Sequence, residues 1–260
     1  MQYEESTLIH ISCPQGKKVY FASDFHLGAP DPLRSLERER YIVQWLDAIR
    51  TDATHLFLVG DLFDFWFEYK NVIPKGYTRL LGKLAELSDA GLGISVFTGN
   101  HDMWMDGYFE QELSITVYDE PQLFSIGGKT WLVAHGDGLG PGDNGYKRLK
   151  NFLRHPVTRR LFAVIPPRWG IGLANLFSKK SRLFTEQQNF LGEEKEWLIQ
   201  YAKAELKTMP IDYFVFGHRH LPIDFRLNES SRMVNLGDWL NHYTYAVFDG
   251  TTLSLKQYEH

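Results

Sequence analysis

The stretch Ile94-Ser95-Val96-Phe97-Thr98-Gly99-Asn100-His101-Asp102 runs from a short apolar segment into a polar tetrapeptide, and the chain uses that design five times. In order, the polar signatures are Asp24-Phe25-His26, Gly60-Asp61-Leu62-Phe63-Asp64, Gly99-Asn100-His101-Asp102, His135-Gly136-Asp137 and Gly217-His218-Arg219-His220. The segments before them (19–22, 56–59, 94–97, 131–134 and 213–216) are short and rich in β-branched and aromatic residues, the pattern of buried strands. Loops leaving the carboxyl ends of strands converge at one rim of an α/β sheet. Five such strands would deliver Asp, His and Asn side chains to one rim of a sheet. Oxygen and imidazole donors without thiolate suit Mn, Fe, Zn or Mg, and seven donors point to two ions.

All five blocks, in this order, resemble the calcineurin-like metallophosphoesterase superfamily, whose pattern is DxH, GDxxD, GNHD or GNHE, a later His, and GHxH. The resemblance spans most of the chain. Carried onto these positions, it implies one ion held by Asp24, His26, Asp61 and His220 and a second held by Asp61, Asn100, His135 and His218. Asp61 is the shared ligand, because a carboxylate can serve two cations at once. Asn100 brings a neutral oxygen, which limits negative charge around the metals.

His101 and Asp102 are the candidate catalytic residues. His101 would point toward substrate, and Asp102, like Asp64, would hold an imidazole in orientation. Helix capping is the plain alternative for both carboxylates. The implied chemistry is in-line attack by a metal-bridging hydroxide on phosphorus, with no side-chain nucleophile.

The chain has 260 residues, 43% hydrophobic and 23% charged, which fits a single domain over residues 1–260 with a sizeable core. The lone Cys13 cannot form an internal disulfide, so a reducing compartment is expected. Residues 1–15 include Glu4, Glu5 and His10 and lack an apolar signal core, and no run approaches the roughly 18 apolar residues of a membrane-spanning helix. A cytoplasmic protein, attached to a membrane at most by its surface, is the expectation. Segments 33–50 and 74–90 are amphipathic helices by their spacing, the second stopped by Gly91. Strand, helix, strand, helix, strand implies parallel crossovers. Segments 122–126 and 129–134 around Gly127-Gly128 read as a hairpin, and 223–227, 233–236, 245–248 and 253–258 as further strands. The expected fold class is α/β: two mixed β-sheets flanked by helices in the four-layer metallophosphoesterase arrangement, with a helical cap inserted at about residues 146–207.

Within that insertion, residues 146–184 hold ten of the chain's 28 Lys and Arg residues and none of its 32 Asp and Glu. The basic residues alternate with bulky aliphatics and are interrupted by Pro166-Pro167, which reads as two basic amphipathic helices suited to an anionic membrane surface. A solvated helical hairpin covering the sheet is the alternative. Nucleic acid is not expected, since exposed stacking aromatics are not interleaved with the charge. Together with the loop HGDGLGPGDNGY at 135–146, these features resemble the UDP-2,3-diacylglucosamine hydrolase family of lipid A biosynthesis.

That resemblance implies cleavage of a UDP-linked acylated glucosamine lipid to UMP and 2,3-diacylglucosamine 1-phosphate, usually with two Mn ions, at the inner face of the inner membrane. It makes Asp143 and Tyr146 candidate contacts to glucosamine or phosphate, and Lys179, Lys180 and Arg182 candidate contacts to the diphosphate. The chain departs from those hydrolases at His101, where they carry Arg; a histidine there also suits a phosphodiesterase whose alkoxide leaving group needs a proton. Segment 185–207, read as a long charged helix of structural role, does not match that family's sequence pattern. Another dimetal phosphodiesterase or phosphatase, and a non-catalytic scaffold of the same fold, are the alternatives. Scaffolds of this superfamily lose ligands, whereas all seven are present here.

Overall fold

The structure, a computed structural model, describes residues 8–142, 144–166 and 189–259. Their strands sort into two six-stranded sheets. The first runs in the order β12 (Leu253–Gln257), β11 (Thr244–Phe248), β2 (Lys18–Ala22), β3 (Ala53–Val59), β4 (Gly93–Phe97), β5 (Thr116–Tyr118). The second runs β1 (Ile9–Ile11), β6 (Gln122–Ile126), β7 (Lys129–Ala134), β8 (Tyr213–Phe216), β10 (Arg232–Leu236), β9 (Pro222–Arg226). Strands β2 to β5 are mutually parallel, as are β7, β8 and β10, while β11–β12, β6–β7 and β9–β10 pair antiparallel. Both sheets are therefore mixed, and helices flank them.

The crossover helices form where the apolar spacing placed them. Helix α1 (Pro32–Ile49) opens with Asp31 accepting the N–H groups of Leu33 and Arg34, both at 3.0 Å, and Pro32 in its first turn. Helix α2 (Thr78–Asp89) starts later than expected because its cap is tertiary: Glu39 of α1 accepts from the N–H of Arg79 at 2.9 Å and of Leu80 at 3.1 Å. Gly91, at φ +88°, closes it with an N–H bond to Ser88 O. The Gly127-Gly128 turn has both residues at positive φ, as a two-residue hairpin requires.

Apolar side chains fill three spaces between four layers. Between the sheets Phe21 stacks on Phe57 and on Trp131, with ring centroids 4.9 and 5.4 Å apart. Outside the first sheet, Trp45 and Leu46 of α1 and Leu80 and Leu84 of α2 pack on Leu56 and Leu58. Outside the second, Leu198, Ile199 and Ala202 of the helix Trp197–Glu205 pack on Phe214 and Phe216. Each of the leucine, isoleucine and phenylalanine side chains among these is worth roughly 1.5–3 kcal/mol of transfer free energy.

Two expectations are corrected. The five signature strands do not share a sheet: β2, β3 and β4 lie in the first and β7 and β8 in the second, so the polar rim is built from the carboxyl ends of strands in both sheets. The long helix over 185–207 is not formed among the described residues; 185–188 lie outside them, and 189–196 is irregular, with Gly192 at φ +89°. The chain becomes helical only at Trp197. Between β7 and β8 stand helix α4 (Asn144–Arg154) and α5 (Pro156–Val164), the latter starting on His155 and Pro156. The helix Trp197–Glu205 is numbered α6 below. Strands β1 and β5 and the short helix α3 (Tyr108–Leu113) were not anticipated. Among the described residues no helix is long and apolar enough to cross a membrane.

Candidate metal centre

All seven expected ligands come together at the rim. Asp24, His26, Asp61 and His220 form one buried group, and Asp61, His135 and His218 another, the donor atoms of each lying within 4.8 Å of one another. Asp61 belongs to both. Asn100 joins the second group, its Oδ1 3.3 Å from His135 Nε2. A third buried group, His26, Asp64 and His101, shares His26 with the first.

The backbone conformation that achieves this was not legible beforehand. Asp24 and His26 meet not as alternate residues of an extended strand but on a turn, at φ +56° and +44°. Asp61, His218 and His220 also adopt left-handed φ, at +53°, +65° and +53°. A non-glycine residue there costs of order 1–3 kcal/mol, and such strain concentrates at functional sites. Glycines explain how the loops fit: a Cβ at Gly99 would strike the Asp61 carboxylate, and one at Gly217 would strike Asp24.

Supporting groups hold the donors. Asp102 accepts N–H bonds from Leu62 and Gly99 at 2.7 Å each, and from Asp61 and Phe63 at 3.3 and 3.4 Å. Its carboxylate thus ties the Asp61 loop to the Asn100 loop through backbone instead of orienting an imidazole. Asp64 does face imidazoles, its Oδ1 3.6 Å from His26 Nδ1 and 3.7 Å from His101 Nδ1. The Nδ1–H of His101 also donates to the Asp64 carbonyl at 3.1 Å, and the His101 ring meets His26 edge-on at 4.8 Å. Arg38 of α1, buried, donates to the carbonyls of Phe25 and His26 at 2.7 Å, which pins the Asp24-to-His26 turn from behind.

The donor set fits a divalent cation. The Nε2 atoms of His26 and His220 face each other at 3.0 Å, and Asp24 Oδ1 lies 3.1 Å from the second and 3.7 Å from the first. His135 donates from Nδ1 to the Val59 carbonyl at 2.8 Å, so its Nε2 is the nitrogen turned into the site. That nitrogen faces two oxygens, Asp61 Oδ2 and Asn100 Oδ1, both at 3.3 Å. Acceptors converging on acceptors call for positive charge between them. Among the described residues, the buried Asp24 Oδ1 and His220 Nδ1 have no hydrogen-bond partner.

The electrostatics express the same demand. Burial would lower His26, but the neighbouring carboxylates of Asp24, Asp64 and Asp61 raise it to about 10; His135 is likewise opposed by burial and raised to about 10 by Asp61. Asp24 and Asp61 are held well below the usual carboxylate range against the effect of burial, Asp24 chiefly by His220 and Asp61 chiefly by His135. Burial, and then the charge on His135, lowers His218 to about 4. Burial also lowers His101, and burial followed by the charge of Asp61 raises Asp102 to about 7. In the metal-free site the carboxylates thus favour protons on His26 and His135, and a divalent cation would supply the positive charge in place of those protons.

Several participants were missed in the sequence. Asp238, buried at the end of β10, lies with Oδ2 3.9 Å from His220 Nδ1 and accepts the N–H groups of Leu240, Asn241 and His242. The signal was available, because Gly237-Asp238 follows an apolar strand as the other signatures do. Asp137, inside the fourth signature, accepts the Tyr146 hydroxyl at 2.7 Å and Lys150 Nζ at 2.8 Å, fastening α4 to the rim. Tyr146 therefore meets a carboxylate at the edge of the site. Asp143, Lys179, Lys180 and Arg182 lie outside the described residues.

This fold and this site define a class, and the sequence pattern of calcineurin-like phosphoesterases matches residues 17–222. The chain belongs to the calcineurin-like phosphoesterase family and is a metal-dependent phosphoester hydrolase. Over 256 residues it is 41% identical to a Porphyromonas gingivalis protein named UDP-2,3-diacylglucosamine hydrolase, covering 93% of this chain and 98% of that one. Proteins of the same name from Neisseria meningitidis serogroup B and Ralstonia nicotianae are 26% identical over 228 residues and 27% over 240. These alignments cover 87% and 90% of this chain, and 92% and 86% of the two relatives.

Proposed function

We propose that this chain hydrolyses the diphosphate of UDP-2,3-diacylglucosamine, with water adding to the uridine-attached phosphorus to give UMP and 2,3-diacylglucosamine 1-phosphate. The observation that carries the reading is the 41% identity, over nearly the whole of both chains, to a protein bearing that substrate in its name. The unbroken seven-residue ligand set argues against a non-catalytic scaffold. Two divalent ions, for which Mn is proposed, would supply an activated water and neutralise phosphoryl charge when bound.

The chain's own residues do the rest. Asp24, His26, Asp61 and His220 on one side, and Asp61, Asn100, His135 and His218 on the other, fix the positions at which positive charge meets the diphosphate. Asp102 and Arg38 keep the loops carrying those donors from relaxing, so the charges are preorganised. Burial favours the uncharged form of His101, which donates from Nδ1 to the Asp64 carbonyl and so has no proton to give from Nε2. A neutral imidazole suits a phosphate leaving group, which departs without an added proton. Asp143 and Tyr146 are proposed to contact glucosamine or phosphate, and Lys179, Lys180 and Arg182 the diphosphate.

The cap supports a lipid substrate and a peripheral position on the inner face of a cytoplasmic membrane. Helices α4 and α5 expose Phe152, Leu161 and Val164 beside a wholly basic complement of charges. Phosphorus NMR of the Mn-loaded protein with UDP-2,3-diacylglucosamine in detergent tests the reading. Paired growth of UMP and lipid monophosphate resonances is expected; a persistent diphosphate signal alongside cleavage of an aryl phosphodiester would replace it with a general phosphodiesterase.

A further inference from the structure

Arg219 stands between two metal ligands, His218 and His220, and its side chain is fully buried. It turns away from the metal site. Its guanidinium pairs side-on with Glu196, Nε to Oε2 and one terminal nitrogen to Oε1, both at 3.2 Å. The same terminal nitrogen donates to the carbonyl of Asn189 at 2.8 Å, and the guanidinium carbon lies 5.5 Å from the Trp197 ring centre. Glu196 is itself buried and also accepts the N–H of Leu191 at 3.0 Å. One side chain therefore gathers residues 189 to 197, the irregular stretch that leads from the insertion into α6, onto the loop that carries two histidine ligands.

That loop needs holding. His218 and His220 both occupy left-handed φ, the Arg219 N–H closes a tight turn onto Gly217 O at 2.7 Å, and the Gly217 carbonyl accepts in addition from the Asn235 amide. The backbone is fixed on one side by Asp24, which accepts the His218 N–H at 3.0 Å. On the other side the Arg219–Glu196 pair anchors the turn's apex. A buried ion pair is not a stability device by default, because apolar residues of similar volume usually serve the fold as well; what it adds is a directed, bidentate geometry.

We propose that the Arg219–Glu196 pair is a positioning device that sets the His218 and His220 imidazoles for metal, and that couples their placement to the closing end of the cap insertion. Neither residue touches metal or substrate. The proposal is independent of which phosphate ester is cleaved, since its readout is metal binding.

The test compares the parent with the paired apolar variant Arg219→Met/Glu196→Leu and with Arg219→Lys, which keeps the charge but not the side-on geometry. Mn binding is followed by titration calorimetry and by electron paramagnetic resonance, and metal-free melting temperature by circular dichroism. The paired variant is expected to melt within a few degrees of the parent yet bind Mn at least tenfold more weakly, with an altered resonance spectrum. Arg219→Lys is expected to fall between the two. Parent-like Mn affinity and spectrum in either variant would overturn the proposal. If the paired variant fails to fold, Arg219→Lys decides: affinity lost in proportion to melting temperature alone would mark the pair as structural only and refute the positioning role.

Discussion

Replacing Asp137 with Asn should detach the cap from the metal rim while sparing the ligands. Asp137 is 3% exposed and receives the Tyr146 hydroxyl at 2.7 Å and Lys150 Nζ at 2.8 Å, while Lys150 also reaches the Asp137 carbonyl at 3.1 Å. Burial would raise its carboxyl, but the charges of Lys150 and His135 hold it at about 2. A folded-state value below the unfolded one stabilises above pH ~4, and the contribution disappears as pH falls through about 2. The shift corresponds to about 2 kcal/mol, and leaving Lys150 without its anion puts the total for Asp137→Asn at about 2–3 kcal/mol. Urea unfolding of the metal-free protein should record that deficit, constant from pH 5 to pH 8 because Asp137 stays ionised throughout. With α4 loosened, KM for the acylated substrate should rise about tenfold while hydrolysis of a small aryl phosphodiester changes little. A deficit below about 0.5 kcal/mol, or equal losses on both substrates, would refute the anchoring role.

Asp61→Ala removes the carboxylate common to both ligand groups; turnover should vanish and Mn stoichiometry by calorimetry should fall below two, and retained turnover would sink the dimetal assignment. His55 sits near the amino end of β3, the end opposite Asp61, and bonds Ser95 Oγ at 2.9 Å, with burial lowering it to about 4. Because the unfolded imidazole takes a proton below pH ~6.5 and the folded one does not, stability should drop by about 2–3 kcal/mol between pH 7 and pH 4.5 on this account, and His55→Gln should abolish that share in denaturation curves. Replacing Lys179, Lys180 and Arg182 together by Ala should raise KM for the acylated substrate far more than for a soluble aryl phosphodiester; equal effects would remove substrate recognition from those residues.

The sequence exposed the site more completely than the scaffold around it. Strand-end polar signatures are local, so Asp24, His26, Asp61, Asn100, His135, His218 and His220 could be read one block at a time, and the structure gathers all seven. What stayed hidden depends on partners far along the chain. Glu39 capping α2 across 40 residues, Arg38 holding the carbonyls of Phe25 and His26, and Glu196 reaching Arg219 across 23 residues leave no periodic trace. The left-handed φ of five ligands was hidden for a related reason: strain at a non-glycine residue is imposed by its surroundings, not by its own preference. The helix read over 185–207 failed at Gly192, where helix-forming neighbours masked a glycine that takes positive φ. For Asp102 the sequence leaves an imidazole-holding role and a helix cap equally open, and the structure shows neither: its acceptors are saturated by backbone N–H groups of two loops.

The central claim is that water adds to the uridine-attached phosphorus of a UDP-linked acylated glucosamine. Running the Mn-loaded reaction in oxygen-18 water and weighing both products by mass spectrometry tests it most directly. The account predicts one heavy oxygen in UMP and none in the lipid monophosphate. Label in the lipid phosphate, or an intact diphosphate, would contradict it.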